Sequence, residues 1–330
     1  MVTLAQAKVG REDKVYGQVI DTFRRESPLL DQMEFDDCIN PSLGGSNLTY
    51  GYMRTKTPAV ADFRAINTEY TENSAAREKI TTELKVFGGK FSVDRVIAST
   101  GGKIDEVNYQ MEEKIKATKN LFHYTVINGD SSQNTNSFDG LNVALAGSST
   151  EINSGSVIDV SSSALMDSNY KLLLDLLDQF LSELSGRPAF LMGNNKMITK
   201  LKGAARRAGY LTQSEDSFGR TVEGYDGVPF LDMGFYTSIS SGAAVEVPVV
   251  PIASRTISEN TVTGLTDLYA VSLGLDKFHG VTVTNGGIIS TRLPDFSTAG
   301  AVKDGDVEMI AAIALKSTRA AGVLRNIKVA

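Results

Sequence analysis

The stretch from Gly101 to Gly140, GGKIDEVNYQMEEKIKATKNLFHYTVINGDSSQNTNSFDG, limits the possible folds of this chain more than any other. Ile104, Val107, Met111, Ile115, Thr118 and Phe122 recur at steps of three and four, so they fall on one stripe of an α-helix. Asp105, Glu106, Glu112, Glu113, Lys116 and Lys119 fill the other sides. At ~1.5 Å per residue, a helix from Ile104 to Phe122 is roughly 28 Å long. The pattern runs on into Val126-Ile127, and Asn128-Gly129 with the Ser/Asn-rich run beyond it is the expected stop.

The 330 residues suggest about two structural units at the usual ~150 residues per domain. With 42% hydrophobic and 22% charged residues, the chain can bury a sizeable core. A net charge of −6 argues against a dedicated nucleic-acid binder. Cys38 has no second cysteine to pair with, and two histidines leave little for a His/Cys metal site. No signal-peptide core opens the sequence and no apolar run approaches ~18 residues, so a soluble protein of a reducing compartment, without a membrane partner, is expected.

Before the long helix, Val15, Val19 and Phe23 predict an N-terminal helix over Leu4–Phe23 that ends at Ser27-Pro28. Leu29, Leu30, Met33 and Phe35 follow as a short apolar segment, too small for a core of its own and expected to lie on something else. Residues 44–98 have a different character. Asn47–Met53, Ala59–Phe63 and Lys85–Phe91 have strand-like content, separated by the polar run Thr68–Lys85. The expectation is a long two-stranded excursion with poor burial, a length unusual in a compact domain unless it is functional.

After the long helix, Leu141–Val160 is rich in Gly, Ser and Asn and marks a boundary. Leu165, Leu172, Leu173, Leu176, Leu177, Phe180, Leu181 and Leu184 predict an amphipathic helix capped by Ser162 or Ser163. Ala189–Met192 reads as a buried strand, followed by a helix from about Asn194 to Ala208 stopped by Gly209. Val228–Leu231, Ala243–Ile252, Leu268–Leu273, Val281–Thr284 and Ile288–Thr291 are further short strands. The end reads as two long strands, Val307–Leu315 and Ser317–Val329, with turns at Gly305 and Gly322. The class is α+β.

Catalytic constellations do not emerge. Gly88-Gly89-Lys90-Phe91 fails as a phosphate loop, and Asp130–Leu141 lacks the central glycine and terminal glutamate of a calcium loop. His123 and His279 read as structural, and Asp36-Asp37 should raise the Cys38 thiol pKa. Asp304, Asp306 and Glu308 alternate along a strand and read as charges blunting an exposed edge. A stand-alone metal-dependent enzyme using them is the remote alternative. Lys196, Lys200, Lys202, Arg206 and Arg207 make a basic helix, read as solvated or as a subunit contact. No catalytic, cofactor-binding or metal residue is assigned. A chain with an ordinary core but an unsupported arm and an under-buried excursion points to contacts with copies of itself.

The order of these parts resembles the major capsid proteins of tailed bacteriophages, the Hong Kong ninety-seven type fold, across nearly the whole chain. Val126-Ile127-Asn128-Gly129-Asp130, with Phe138-Asp139-Gly140-Leu141, looks like the glycine-rich signature that follows this family's spine helix. Pro188–Asn194 is similar to its strand-then-helix segment, and Gly227-Val228-Pro229-Phe230 to its glycine–proline turn. The resemblance implies an N-terminal arm at 1–43, an E-loop hairpin at 44–98, a peripheral (P) domain with the spine helix at 99–150, an axial (A) domain at 151–300, and return strands of the P domain at 301–330. It also implies a non-enzymatic shell subunit without cofactors, forming hexamers and pentamers around double-stranded DNA in a virion assembled in the host cytoplasm. Assembly contacts would fall on Ile104, Val107, Met111, Ile115 and Phe122 of the spine, on Tyr50, Tyr52, Phe63, Tyr70 and Phe87 of the E-loop, and on Leu29, Leu30 and Phe35 of the arm. Because Met1 opens directly on the arm, a separate scaffolding protein is expected, together with a portal and possible decoration protein. Lys103, Lys114, Lys116 and Lys119 would touch DNA non-specifically, and no pattern singles out Lys56, Lys79, Lys85 or Lys90 for a covalent cross-link. An encapsulin-type compartment with a protein cargo is the nearest alternative.

Overall fold

Asp105 opens the long helix: its carboxylate accepts hydrogen bonds from the backbone N–H groups of Val107 and Asn108, which the first turn leaves without helical partners. The computed structural model describes residues 29–38, 48–100, 105–209, 211–215, 221–283 and 288–330, and side chains outside 210–222. The expected helix over Leu4–Phe23, as well as Lys103 and Ile104, lies outside the described residues. Glu106–Asn128 forms the helix, α2, ending six residues beyond Phe122, the last position of the apolar stripe. Val107, Met111 and Ile115 are half-buried against Phe91, Val93 and Val307. From Thr118 onward the stripe is in the core, with Phe122 only 1% exposed.

Two glycines stop the helix because nothing larger fits. A Cβ on Gly129 would lie 2.2 Å from the Phe138 carbonyl oxygen, and one on Gly140 would lie 2.6 Å from that of Thr125. Neither glycine has a positive φ; the requirement is close backbone approach, closed by the Gly140 N–H donating to the Gly129 carbonyl at 2.9 Å, and the one-turn helix α3 (Leu141–Ala144) follows directly.

The helix lies on a five-stranded sheet whose middle is β17 (Val302–Leu315). On one side β17 pairs with β4 (Lys85–Asp94) along ten residue pairs. On the other it pairs with β16 (Ile289–Arg292) and then with β15 (Phe278–Thr282). The expected exposed edge at Asp304, Asp306 and Glu308 is therefore a central strand. Its charges are accommodated by cross-strand partners: Lys90 lies 2.8 Å from Asp304, and Arg292 lies 3.6 Å from Asp306. Gly305 is no turn; it lies within β17 where a Cβ would collide with the Phe91 ring at 2.4 Å.

β1 (Phe35–Asp37) adds in parallel to β15, so the short apolar arm segment lies on its own chain. Leu29 is fully buried, and Met33 and Cys38 join the same core.

A nine-stranded sheet carries the second core. Its main path is β5 (Glu151–Ile152), β18 (Ala321–Lys328), β14 (Asn260–Val271), β7 (Phe190–Gly193), β10 (Val228–Asp232), β9 (Thr221–Tyr225) and β8 (Leu211–Glu215). β6 (Ile158–Asp159) pairs with β18, and β13 (Ala253–Ile257) with β14. Helices α4 (Ser163–Ser182) and α5 (Asn195–Ala208) bury Leu173, Leu174, Leu177, Phe180, Met197, Ile198 and Leu201 in this core. Ser162 caps α4, Asn194 caps α5, and Gly209 ends α5 at φ +76°. Leu165 and Leu172 of the predicted stripe face outward.

The last two strands do not share a sheet. β17 belongs to the spine's sheet, whereas β18 crosses to the other through a 3-10 turn at Thr318–Ala320. Gly322 again meets a ring and not a turn, with a Cβ there 2.8 Å from Phe180. Within the nine-stranded sheet, Asp267 of β14 accepts two bonds from Arg255 of β13 at 2.6 and 2.7 Å and one from Arg325 of β18 at 3.1 Å. Arg325 in turn donates to Glu151 at 2.7 Å and to Asn142.

The aromatic contact at Phe122 predicts unequal costs along the spine. Phe122→Ala should lose about 3–5 kcal/mol of unfolding free energy, and Met111→Ala, half-buried, clearly less. Equal losses in denaturant melts would contradict the packing gradient along α2.

Candidate assembly surfaces

The excursion is a hairpin, β2 (Thr49–Thr57) against β3 (Ala76–Glu83), which among the described residues pairs only with itself. Ala59–Phe63 is not a strand; the returning strand comes from the polar run as AREKITTE. Its root is tied to the body by two tyrosines. The Tyr50 hydroxyl donates to Asp36 at 2.5 Å, and the Tyr52 hydroxyl to the Leu315 carbonyl at 2.8 Å. Arg54 and Glu78 close the ladder at 2.9 Å.

Beyond Thr57 every residue up to Arg77 is exposed. Phe63 is 103% and Ile66 89% exposed, and Val60 and Tyr70 stand in water with them. This tip has local order. Asn67 takes a left-handed φ of +68°, Thr68 donates to the Ala65 carbonyl at 2.8 Å, and the Arg64 guanidinium lies 5.1 Å from the Tyr70 ring centre. Large apolar side chains held in solvent on a structured tip make it a candidate contact surface.

A second hairpin, β11 (Phe235–Ser240) with β12 (Ala243–Pro248), lies against α2. Asn120 grips it from both sides of its amide, donating to the Phe235 carbonyl at 2.8 Å and accepting from the Thr237 N–H at 2.9 Å. Tyr124 stacks on Tyr236 at 4.7 Å, while Ile239 near the turn is 81% exposed. A third apolar group, Val96, Ile97 and Val302, is exposed where β4 and β17 end together. The helix carrying Val96 and Ile97, α1 (Arg95–Ser99), is bonded there by the Arg95 N–H to the Ala301 carbonyl at 2.8 Å.

The residues expected to make assembly contacts divide by place. Phe63 and Tyr70 are on the exposed tip. Tyr50 and Tyr52 are half-buried at the root. Phe87 stacks on Phe122 at 6.1 Å and Phe35 lies against the same ring at 5.9 Å, so both contribute to the chain's own core. Leu29 is buried and Leu30 half-buried there. Val107, Met111, Ile115 and Phe122 face the chain's own sheet and core, while Ile104 is outside the described residues. Reasoning from sequence missed Val60, Ile66 and Ile239, because isolated apolar residues in a polar run have no periodicity to expose them.

Chemical groups are quiet. Burial pulls the His123 pKa down, and its Nε2 lies 2.8 Å from the Met233 carbonyl. The Cys38 thiol is pushed up to about 11, first by burial and then by Asp36 and Asp37, which leaves no thiolate at neutral pH. Among the described residues no group of three His, Cys, Asp or Glu side chains could hold a metal, and no helix is long and apolar enough to cross a membrane. The basic helix is internally engaged: Lys202 pairs with Glu223 at 2.8 Å, Arg207 with Asp167 at 2.6 Å, and Lys200 donates to the Ser161 carbonyl at 2.6 Å. On α2, Lys116 pairs with Glu113 at 3.2 Å.

No family model matches the sequence, and no curated protein does. Solved structures do. The holo-SrpI encapsulin complex from Synechococcus elongatus PCC 7942 superposes with a TM-score of 0.64 at 14% identity, covering 99% of this chain and 96% of that one. Mycobacterium phage Bobi gives 0.62 at 8% identity, with 99% of both chains covered. The capsid of the native GTA particle gives 0.59 at 10% identity, again over 99% of both. The chain has the Hong Kong ninety-seven type fold of tailed-phage capsid proteins and an encapsulin, an α+β fold, from end to end.

Because Phe63 and Ile66 are almost fully exposed among the described residues, Phe63→Ser with Ile66→Ser should leave the melting free energy of the dissociated chain within about 0.5 kcal/mol of the parent. Tyr52→Phe, which removes a half-buried hydrogen bond at the root, should cost about 1 kcal/mol. A larger loss from the tip pair than from Tyr52→Phe would mean that the tip packs on the body.

Proposed function

We propose that this chain is the major shell subunit of a tailed-phage-type capsid. The observation that carries the reading is the structured hairpin tip with Val60, Phe63, Ile66 and Tyr70 in solvent, on a fold shared with capsid shells. Such a tip is stable in water only at a cost that a neighbouring copy removes. The contact is heterologous, one patch against a different patch of the next subunit, and contacts of that kind close into rings. Hexamers and pentamers follow, each interface modest and the sum large.

Within this reading the E-loop is narrower than 44–98. It runs from about residue 48 to 84, since β4 belongs to the body's sheet. The P domain is α2 with β1, β4, β15, β16 and β17, and the A domain is the nine-stranded sheet with α4 and α5, to which β18 returns. The A domain meets its copies at the capsomer axis. Double-stranded DNA inside is contacted non-specifically, with Lys114 and Lys119 on α2 as candidates, and binding weakens with salt. A separate scaffolding protein and a portal serve assembly in the host cytoplasm, and a decoration protein can join the finished virion.

The encapsulin-type compartment is the second reading, favoured by the superposition on the encapsulin shell. Nuclease-protected double-stranded DNA in particles purified from the producing cells supports the capsid, and a protein cargo without DNA supports the compartment. Replacing residues 58–75 by a short Gly-Ser turn tests the hairpin itself. The variant should keep the parent's circular dichroism and melt cooperatively, yet give no closed particles in negative-stain micrographs. Normal particles from it would remove the tip from the assembly contact.

A further inference from the structure

At the hairpin root, five groups that titrate or carry charge meet around one histidine. His279, on β15, has no exposed surface, and among the described residues neither of its ring nitrogens has a hydrogen-bond partner. The Tyr50 ring of β2 stands edge-on to it at 5.8 Å. Behind that ring, the Tyr50 hydroxyl is held by Asp36 of β1, and Lys316, just past β17, reaches toward both. Its Nζ is 5.3 Å from the Tyr50 ring centre and 3.8 Å from the Asp36 carboxylate. Asp276 faces the imidazole from the loop before β15, and the Cys38 thiol lies in the electrostatic reach of Tyr50. Cys38, Tyr50 and His279 all stay uncharged at neutral pH, leaving Asp36 and Lys316 as the working ion pair.

We infer that His279 is a proton-operated latch for the hairpin root, with the body-bound hairpin requiring the neutral imidazole and the released hairpin accepting the proton. A proton taken from water would give His279 a second N–H in a place where, among the described residues, no acceptor meets hydrogen-bond geometry at either ring nitrogen, beside the Lys316 ammonium. Of the two carboxylates whose charge acts on the ring, Asp36 is already committed to Tyr50 and Lys316, and Asp276 makes no hydrogen bond to either ring nitrogen. Either the Tyr50–Asp36 bond breaks to free the carboxylate, or the root opens and water solvates the imidazolium; each outcome detaches Tyr50.

Burial first, and then Lys316, hold the His279 pKa below its ordinary 6.5 in the closed form, against the opposing pull of Asp36, the Gly274 backbone and Asp276. The sign follows from linkage: the released form binds more protons between the two pKa values, so closure is complete above pH 6.5 and weakens as the pH falls below it. Local release is the cheaper response, because the hairpin is tied to the body chiefly by Tyr50 and Tyr52 whereas the rest of β15 is in the core. The latch does not depend on the shell reading, since it operates within one chain.

Hydrogen exchange followed by mass spectrometry on the soluble chain tests it, with light scattering at each pH to hold the assembly state fixed. After correction for intrinsic rates, opening of the β2 and β3 amides should rise by up to roughly 30-fold from pH 8 to pH 5, the limit set by an open-state pKa near 6.5. β18 should stay protected over the same range. His279→Phe should flatten the pH dependence of the hairpin, and His279→Gln gives the same test if the phenylalanine does not fold. Tyr50→Phe should loosen the hairpin already at pH 8. A hairpin whose opening does not change with pH, a rise that persists in both His279 variants, or a parallel rise in β18 would each overturn the latch.

Discussion

Four phenylalanine rings hold the molecule's parts in one relation. Phe122 of the spine touches Phe35 of the arm at 5.9 Å, Phe87 of β4 at 6.1 Å and Phe138 of the loop after the spine at 5.7 Å. These residues come from four separate segments, and each ring pair adds about 0.5–1.5 kcal/mol to the burial itself. The arm's attachment, the register of β4 beneath the helix and the path of the glycine-bounded loop all converge on the one side chain. The hairpin that leaves the body just before β4 therefore starts from a fixed point, and its direction is set by the same cluster that sets the spine.

From that fixed point, the chain end couples the two cores. β17 lies in the spine's sheet and β18 in the other, separated only by a 3-10 turn, so neither core moves without pulling on the other. The Asp267 cluster reinforces the coupling on the loop side, drawing Glu151 and Asn142 onto the strand pair β14 and β18 through Arg325. Two guanidinium groups and two carboxylates balance there. A buried network of this kind contributes little if it is replaced whole, but losing one member strands the others. The arrangement favours a single geometry between the nine-stranded sheet and the segment after the spine that carries Asn142 over raw stability.

The spine and the two helices of the second core were legible because each buries one stripe, and a stripe with a 3.6-residue period needs no knowledge of its partner. Ser162, Asn194 and Gly209 announced their caps for the same local reason. β3 was hidden because both faces of the hairpin meet water, so AREKITTE has no apolar alternation to betray a strand. Asp304, Asp306 and Glu308 suggested an edge because charge on a strand usually means solvent; Lys90 and Arg292 on flanking strands make a central position tolerable, and nothing local reveals them. Gly305 and Gly322 were read as turns for a related reason. A glycine required by a distant ring, Phe91 or Phe180, carries the same letter as one required by a bend. The arm's apolar residues were assigned to a neighbour because the segment is short, whereas a short segment can equally complete its own chain's core through β1 and β15.

This division clarifies what exposure means in the hairpin. Its aromatic residues fall into two groups that composition alone could not separate: Tyr50 and Tyr52 have their hydroxyls satisfied by Asp36 and the Leu315 carbonyl, while Phe63 and Tyr70 lie beyond the last body contact. A hydroxyl that finds its acceptor within the chain holds a strand down; a phenyl ring with no neighbour leaves surface for something else to cover. The hairpin is thus anchored by polar bonds at one end and left apolar at the other. Polar bonds to titratable partners respond to pH and charge, whereas apolar burial responds mainly to the presence of a partner. Control over the hairpin's direction and the drive for its tip to bind are consequently physically separate, and a change at the root can redirect the tip without altering what the tip recognises.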